Sequence, residues 1–217
     1  VEDGRVVPQQ QPGSLPAGSP ETPRTVRDRA QVLRESPRIA VETPSLRGSI
    51  NLKGARIDDL VLTQHRQSLA EDSPPIRLLS PSGAPKGYFA SFGWTGQGVA
   101  LPGPATLWTA SGDRLTPGNP VTLSWDNGQG QRFDISLAVD DGYMFTATQT
   151  VTNTGTGAVA VRPYSLVSRA NPSPDPDSWT VHVGPVAVFN GAADYDNDYS
   201  TIAESGVRSS WETLARN

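Results

Sequence analysis

Apolar and polar residues alternate along much of the middle of the chain, which is the pattern of half-buried β-strands. In residues 46–54, the apolar side is formed by Leu46, Gly48, Ile50 and Leu52. A Pro-Ser dipeptide before this stretch and a Gly-Ala dipeptide after it separate it from further short alternating runs. The chain therefore opens with consecutive short strands, and we predict an all-β fold, an antiparallel β-sandwich.

A second alternating run, residues 121–168, predicts a β-meander. Asn127-Gly128 and Asp141-Gly142 are dipeptides of the kind that join neighbouring antiparallel strands directly. The last strand of the run, residues 158–168, follows another turn at residues 153–157. Because tight turns join neighbours, we expect all of these strands in one wide sheet.

Residues 1–24 differ from the rest because they are rich in proline, glutamine, glycine and serine. Such a composition buries too little apolar surface to fold, so we predict a disordered tether. Residues 25–35 predict one short N-terminal helix, in which Thr25 and Asp28 form a capping box and Pro37 prevents extension. We therefore predict a single β-sandwich domain over residues 25–217.

The composition fits many strands and turns and limits the available chemistry. The 217 residues include 20 prolines, 21 glycines and no cysteine, which excludes disulfides, zinc–thiolate sites and a thiol nucleophile. The net charge is −4 and there is no basic block, so we expect no nucleic-acid partner. Residues 88–112 carry no charge, but prolines and glycines interrupt them, and we expect no transmembrane span there.

Four stretches of the chain resemble a known family. The first, residues 42–60, reads ETPSLRGSINLKGARIDDL and resembles the start of the large periplasmic domain of bacterial YidC membrane protein insertases, in its alphaproteobacterial form. The others are SPPIRLLSPSGAPKGYFASFGW (73–94), FDISLAVDDGYMFTATQTVTNTG (133–155) and HVGPVAVFNG (182–191). The resemblance covers most of the chain after the proline-rich segment, and its opening motif is the most specific part.

This resemblance implies a supersandwich of the galactose-mutarotase-like kind on the periplasmic side of the bacterial inner membrane. It implies a non-catalytic docking domain without a cofactor, with Sec translocon components and inserting membrane proteins as partners. The chain would reach the membrane only through transmembrane helices that lie outside this sequence. In the family, further strands follow the region that corresponds to residues 201–217. We therefore expect open sheet edges, with self-association through them or a disordered C-terminal tail.

Sugar chemistry of the mutarotase kind requires a general acid and a general base, commonly a histidine and a glutamate, on opposite sides of the sugar. The chain has only His65 and His182, and it has no glutamate between Glu71 and Glu204. Neither histidine has a second metal ligand at a suitable spacing. We therefore predict that the chain is not an enzyme and has no catalytic or metal-binding residues.

Two groups of acidic residues are weaker candidates for a functional site. Asp58 and Asp59 form a like-charged pair at the end of the opening motif, and we interpret them as surface carboxylates at a strand bend, paired with Arg56. Residues 194–198 have the D-x-D-x-D spacing of a calcium loop but lack its glycine and its bidentate glutamate. We interpret them as a solvated acidic loop.

The tryptophans are the remaining candidates for a binding surface. Trp94 and Trp108 lie within the charge-free window, and we predict that they line an exposed apolar groove. If such a groove binds ligands, two alternatives to the insertase domain follow. One is a carbohydrate-binding module of similar fold, and the other is a chaperone-like domain that binds peptides at a groove or sheet edge.

Overall fold

The computed structural model describes residues 26–170, 182–189, 191–195 and 198–199. The predicted tether, residues 1–24, lies outside these ranges, so the proposed division of the chain into tether and domain remains a prediction. Within the described residues, no helix has the length and apolar character needed to cross a membrane.

In its described part, residues 26–170, the unit of residues 1–170 contains one helix and eleven strands. Its elements are α1 (Arg29–Leu33), β1 (Arg38–Glu42), β2 (Leu46–Asn51), β3 (Arg56–Arg66), β4 (Pro75–Leu79), β5 (Tyr88–Gly96), β6 (Thr109–Ala110), β7 (Arg114–Leu115), β8 (Val121–Asp126), β9 (Gln131–Val139), β10 (Phe145–Asn153) and β11 (Val161–Arg169). The alternation of the sequence predicted most of these strands, and it is clearest where one face is buried, as in β9.

These strands form two sheets. Sheet I has the order β11-β5-β3-β2-β1-β7, with β4 also paired to β3, and sheet II has the order β10-β9-β8-β6. All strand pairs are antiparallel except β1 with β7. Both sheets contribute to one buried core, so the predicted all-β sandwich is confirmed.

The core lies between the inner faces of the two sheets. Sheet I contributes Ile39, Val41, Leu46, Ile50, Ile57, Leu60, Trp94 and Leu115, and sheet II contributes Val121, Leu123, Phe133, Ile135, Leu137 and Val139. Direct contacts join the sheets: the ring of Trp94 meets the ring of Phe133 edge-on at a centroid distance of 5.2 Å. The side-chain Nε2 of Gln149 on β10 also donates to the carbonyl of Gly93 on β5, at 2.8 Å.

The predicted helix is shorter than the sequence suggested. Asp28 is its N-cap, because the carboxylate accepts a hydrogen bond of 3.1 Å from the backbone N–H of Gln31. The helix then begins at Arg29, so the predicted capping box that starts the helix at Thr25 is wrong, and Thr25 itself lies outside the described residues.

The prediction of a single wide sheet for residues 121–168 is also wrong. β8, β9 and β10 are neighbours in sheet II, but β11 pairs with β5 in sheet I. The connection from β10 to β11 therefore crosses from one sheet to the other. Local alternation cannot distinguish the two arrangements, since β11 has the same period in either sheet.

The unit of residues 171–217 contains a short antiparallel hairpin in its described part. Its strands are β12 (Ala187–Phe189) and β13 (Ala192–Asp194), and Gly191 in the turn has a φ of 79°, which favours glycine.

Candidate functional site

A β-bulge brings two carboxylates to the outer face of sheet I. Ser49 pairs with Asp59 and Ile50 with Ile57, so Asp58 has no partner on β2. Because of this extra residue, Asp58 and Asp59 both point outward while Ile57 and Leu60 on either side reach the core. In a regular strand, residues three apart would lie on opposite faces.

Each of these carboxylates is buried and paired with an arginine. Asp58 forms an ion pair with Arg38, at the start of β1, and is only 2% exposed. Asp59 forms an ion pair with Arg29, from the first turn of α1, and is 8% exposed. We call these four residues the arginine–aspartate cluster. It fastens α1 to the outer face of the sheet.

Polar neighbours complete the bonding of the carboxylates. The Ser49 hydroxyl donates to Asp59 at 2.6 Å and accepts from Nε of Arg38 at 2.8 Å. The side-chain amide of Asn51 donates to Asp58 at 3.5 Å. Charges buried in this way remain tolerable only while both members of each pair and their hydrogen bonds are kept.

The arginines of the cluster are less well satisfied than the carboxylates. Within the described part of the chain, Nε of Arg29 and one terminal nitrogen of Arg38 are buried without a hydrogen-bond acceptor. Burial lowers the pKa of the Arg29 guanidinium below its ordinary value, and the positive charges of Arg77 and Arg38 lower it further. The cluster therefore has more guanidinium donors than acceptors for them.

The interpretation of Asp58 and Asp59 as surface carboxylates paired with Arg56 is wrong. Both are buried, and Arg56 instead lies over the ring of Phe89, with its guanidinium carbon 4.8 Å from the ring centroid. The sequence does carry the signal for the bulge. The run Ile-Asp-Asp-Leu breaks the period of two, which on a strand with a buried face requires a bulge.

The predicted exposed groove at Trp94 and Trp108 is also wrong. The two residues are only 4% and 3% exposed, and their rings stack in the core with centroids 6.3 Å apart. The backbone N–H of Trp108 donates to the carbonyl of Leu52 at 2.9 Å, which holds this loop against the opening motif. The window lacks charge because parts of it line the core, so its lack of charge did not indicate a binding groove.

The two histidines lie far apart in the chain and have different surroundings. His65 is exposed near the end of β3, and its Nε2 lies 3.0 Å from the hydroxyl of Tyr143. His182 lies in the other unit, with its Nε2 3.2 Å from the carbonyl oxygen of Pro185. Across the residues that the structure describes, no group of three or more histidine, aspartate or glutamate side chains is close enough together to hold a metal ion.

A different surface, the β11 overhang, exposes apolar residues at a sheet edge. We define it as Pro163, Ser165, Leu166 and Val167. Val167 pairs with Ala90 and points to the same side of sheet I as Trp94, yet it is 65% exposed. The bond from Gln149 to Gly93 places β10, the edge of sheet II, above β5. Val161 at the start of β11 packs against the core, but the exposure of Val167 shows that this later part of β11 is not covered.

The overhang also offers backbone hydrogen-bonding groups. In the part of the chain that the structure describes, β11 pairs with β5 alone and β10 pairs with β9 alone. Each is nine residues long. A strand edge of this length can pair with another extended segment.

Comparison with known proteins shows which family the chain resembles. The profile of the YidC periplasmic domain matches residues 38–214. The chain is 49% identical over 172 residues to the membrane protein insertase YidC of Zymomonas mobilis subsp. mobilis, covering 79% of the chain and 30% of that protein. It is 44% identical over 173 residues to YidC of Acidiphilium cryptum (78% and 29%) and 41% identical over 214 residues to YidC of Dinoroseobacter shibae (94% and 34%). The chain thus spans about 30% of the length of these relatives.

Proposed function

Because the chain belongs to the YidC periplasmic domain family, we propose that it is a non-catalytic docking domain of a membrane protein insertase. It lies on the periplasmic side of the membrane and contacts inserting membrane proteins or translocon components. The insertion step itself takes place in other parts of the parent protein. The relatives that support this proposal are named for insertion and not for a chemical reaction.

The observation that carries the docking role is the β11 overhang. Leu166 and Val167 are 44% and 65% exposed on a nine-residue edge strand. An extended partner segment can add its backbone to such an edge while its side chains cover the apolar residues. A membrane protein that has not yet folded offers extended, apolar segments of this kind.

The other functional interpretations lose their support in the described residues. A carbohydrate-binding module needs exposed, coplanar aromatic rings, and the two tryptophans considered for that role are in the core. The two buried carboxylates, Asp58 and Asp59, are each paired with an arginine in the arginine–aspartate cluster, so neither is a free acid or base. A peptide-binding role is contained in the docking proposal, because the overhang is itself a sheet edge.

Site-directed photo-crosslinking in the full-length insertase tests this role. A photoreactive residue at Val167 is expected to crosslink to an inserting membrane protein or to a translocon subunit during synthesis of a client. The matched control is Asn119, which is also exposed but lies in the turn before β8, away from the overhang. The proposal fails if position 167 gives no crosslink to either class, or if position 119 gives the same products with the same yield.

A further inference from the structure

The outer face of sheet I carries more arginines than its carboxylates neutralise. Arg47 on β2 and Arg77 on β4 are both Cα partners of Val61 on β3, so the three lie in one row across the sheet. We call Arg47, Val61 and Arg77 the arginine row. Both arginines are exposed, and Val61 between them is half-buried.

The row adjoins the arginine–aspartate cluster. Asp59, which binds Arg29, is two residues from Val61 on the same strand and the same face. Arg29 therefore reaches the sheet beside the row, and the charge of Arg77 acts on its guanidinium. Arg47 and Arg77 thus flank Val61 across the sheet, and Arg29 is bound to Asp59 two residues away along β3.

Neither arginine of the row is paired with a carboxylate of the residues that the structure describes. Among the described residues, no carboxylate lies within 4.0 Å of the guanidinium of Arg47 or Arg77. Glu42 is the Cα partner of Arg47 on β1, but its carboxylate is paired with Arg114. The two aspartates of the cluster are already shared by Arg29 and Arg38.

The spacing of the row suits a single small anion. Neighbouring strands are about 4.8 Å apart, so the Cα atoms of residues two strands apart are separated by about 10 Å. Arginine side chains are long enough to close that distance from both sides. Val61 between them is too short to obstruct the approach and carries no competing polar group.

We propose that the arginine row, with Arg29 beside it, binds a phosphate group. A guanidinium offers a planar pair of donors that matches two oxygens of a phosphate, and a tetrahedral anion can bond to more than one guanidinium at once. The group is either free inorganic phosphate or the phosphate of an anionic lipid headgroup. This inference uses a surface on another part of sheet I and does not depend on the docking role of the overhang.

Titration of the 217-residue chain tests the site for free phosphate. Chemical shifts of arginine side-chain N–H groups are followed as sodium phosphate is added, with sodium chloride of equal ionic strength as the reference, because salt alone screens surface charges. The double variant Arg47→Gln/Arg77→Gln is expected to bind phosphate at least about tenfold more weakly, since it loses charge-assisted hydrogen bonds from two side chains. Thermal unfolding of each variant verifies that it is folded.

Co-sedimentation with vesicles tests whether the row binds the phosphate of an anionic lipid headgroup. Vesicles of phosphatidylglycerol are compared with vesicles of phosphatidylcholine, which has no net charge. The matched control is Lys53→Gln/Lys86→Gln, which removes the same formal charge from exposed residues outside the row. It is expected to behave as the wild-type chain does in both assays.

The results of the two assays distinguish a free anion from a lipid headgroup, and they can refute the proposal. Phosphate binding without vesicle binding assigns the row to a free anion, and vesicle binding lost only in the Arg47→Gln/Arg77→Gln variant assigns it to a lipid headgroup. The proposal is refuted if the wild-type chain binds neither probe. It is equally refuted if the control variant loses as much binding as the row variant, because binding then follows net charge alone.

Discussion

The replacement of Gly48 by alanine is the sharpest test of the bulge. A Cβ atom at position 48 would lie 1.8 Å from the carbonyl oxygen of Asp59 and 2.7 Å from its carbonyl carbon. Both are backbone atoms of the neighbouring strand, so no side-chain rotation relieves the contact. The bulge at Asp58 pushes this part of β3 toward β2, and only glycine leaves room for it.

The expected cost follows from this geometry. The contact must lengthen from 1.8 Å to at least 3.0 Å, which separates β2 from β3 beside the bulge. Overpacking of this kind typically costs about 1–3 kcal/mol. The loss of one or two ladder hydrogen bonds adds about 1 kcal/mol each. We therefore expect Gly48→Ala to lower the free energy of unfolding by about 3 kcal/mol, which corresponds to a fall in Tm of roughly 6–12 °C for a domain of this size.

Urea unfolding followed by circular dichroism measures this loss, with Gly118→Ala as the control. A Cβ at Gly118 meets nothing within 4 Å, so that variant is expected to stay within about 0.5 kcal/mol of the wild-type chain. If the two variants unfold at the same urea concentration, the close approach of β3 to Gly48, and with it the bulge, is wrong.

Three further substitutions test other parts of the structure. Asp58→Asn leaves the buried charge of Arg38 uncompensated and is expected to cost about 3–5 kcal/mol in urea unfolding; a loss below about 1 kcal/mol would contradict a buried ion pair. Phe133→Ala removes a fully buried ring and is expected to cost about 3–5 kcal/mol, so a near-neutral result would contradict its place in the core. Asp28→Ala removes the helix cap and is expected to cost about 1 kcal/mol and to speed hydrogen exchange at the Gln31 amide; unchanged exchange would contradict the cap.

The sequence was most informative where one period continued without interruption. In β9 the residues Phe133, Ile135, Leu137 and Val139 alternate strictly, and all are buried. On β10, the threonines from Thr146 onward lie on the exposed face, and the residues between them are half-buried on the other face. Such strands are specified locally, because a shift by one residue would exchange the buried and exposed faces.

The errors arose where the position of a residue depends on distant parts of the chain. The sheet that contains β11 is decided by pairing with β5, more than sixty residues earlier, and no local pattern encodes that choice. The burial of Trp94 and Trp108 likewise depends on sheet II, because the ring of Trp94 packs against Phe133. A stretch without charge is compatible with a core position or with an exposed groove, and only the tertiary structure distinguishes them.

The bulge at Asp58 connects the fold with the two proposed surfaces. One extra residue turns Asp58 and Asp59 outward while it keeps Ile57 and Leu60 in the core, and Gly48 makes the close strand approach possible. The most specific stretch of the sequence is therefore accounted for by structure, since Asp58 is paired with Arg38 on β1 and Asp59 with Arg29 on α1. The proposed binding uses surfaces that the sheet leaves unneutralised or uncovered. Within the described residues, the arginine row and the β11 overhang are two such surfaces.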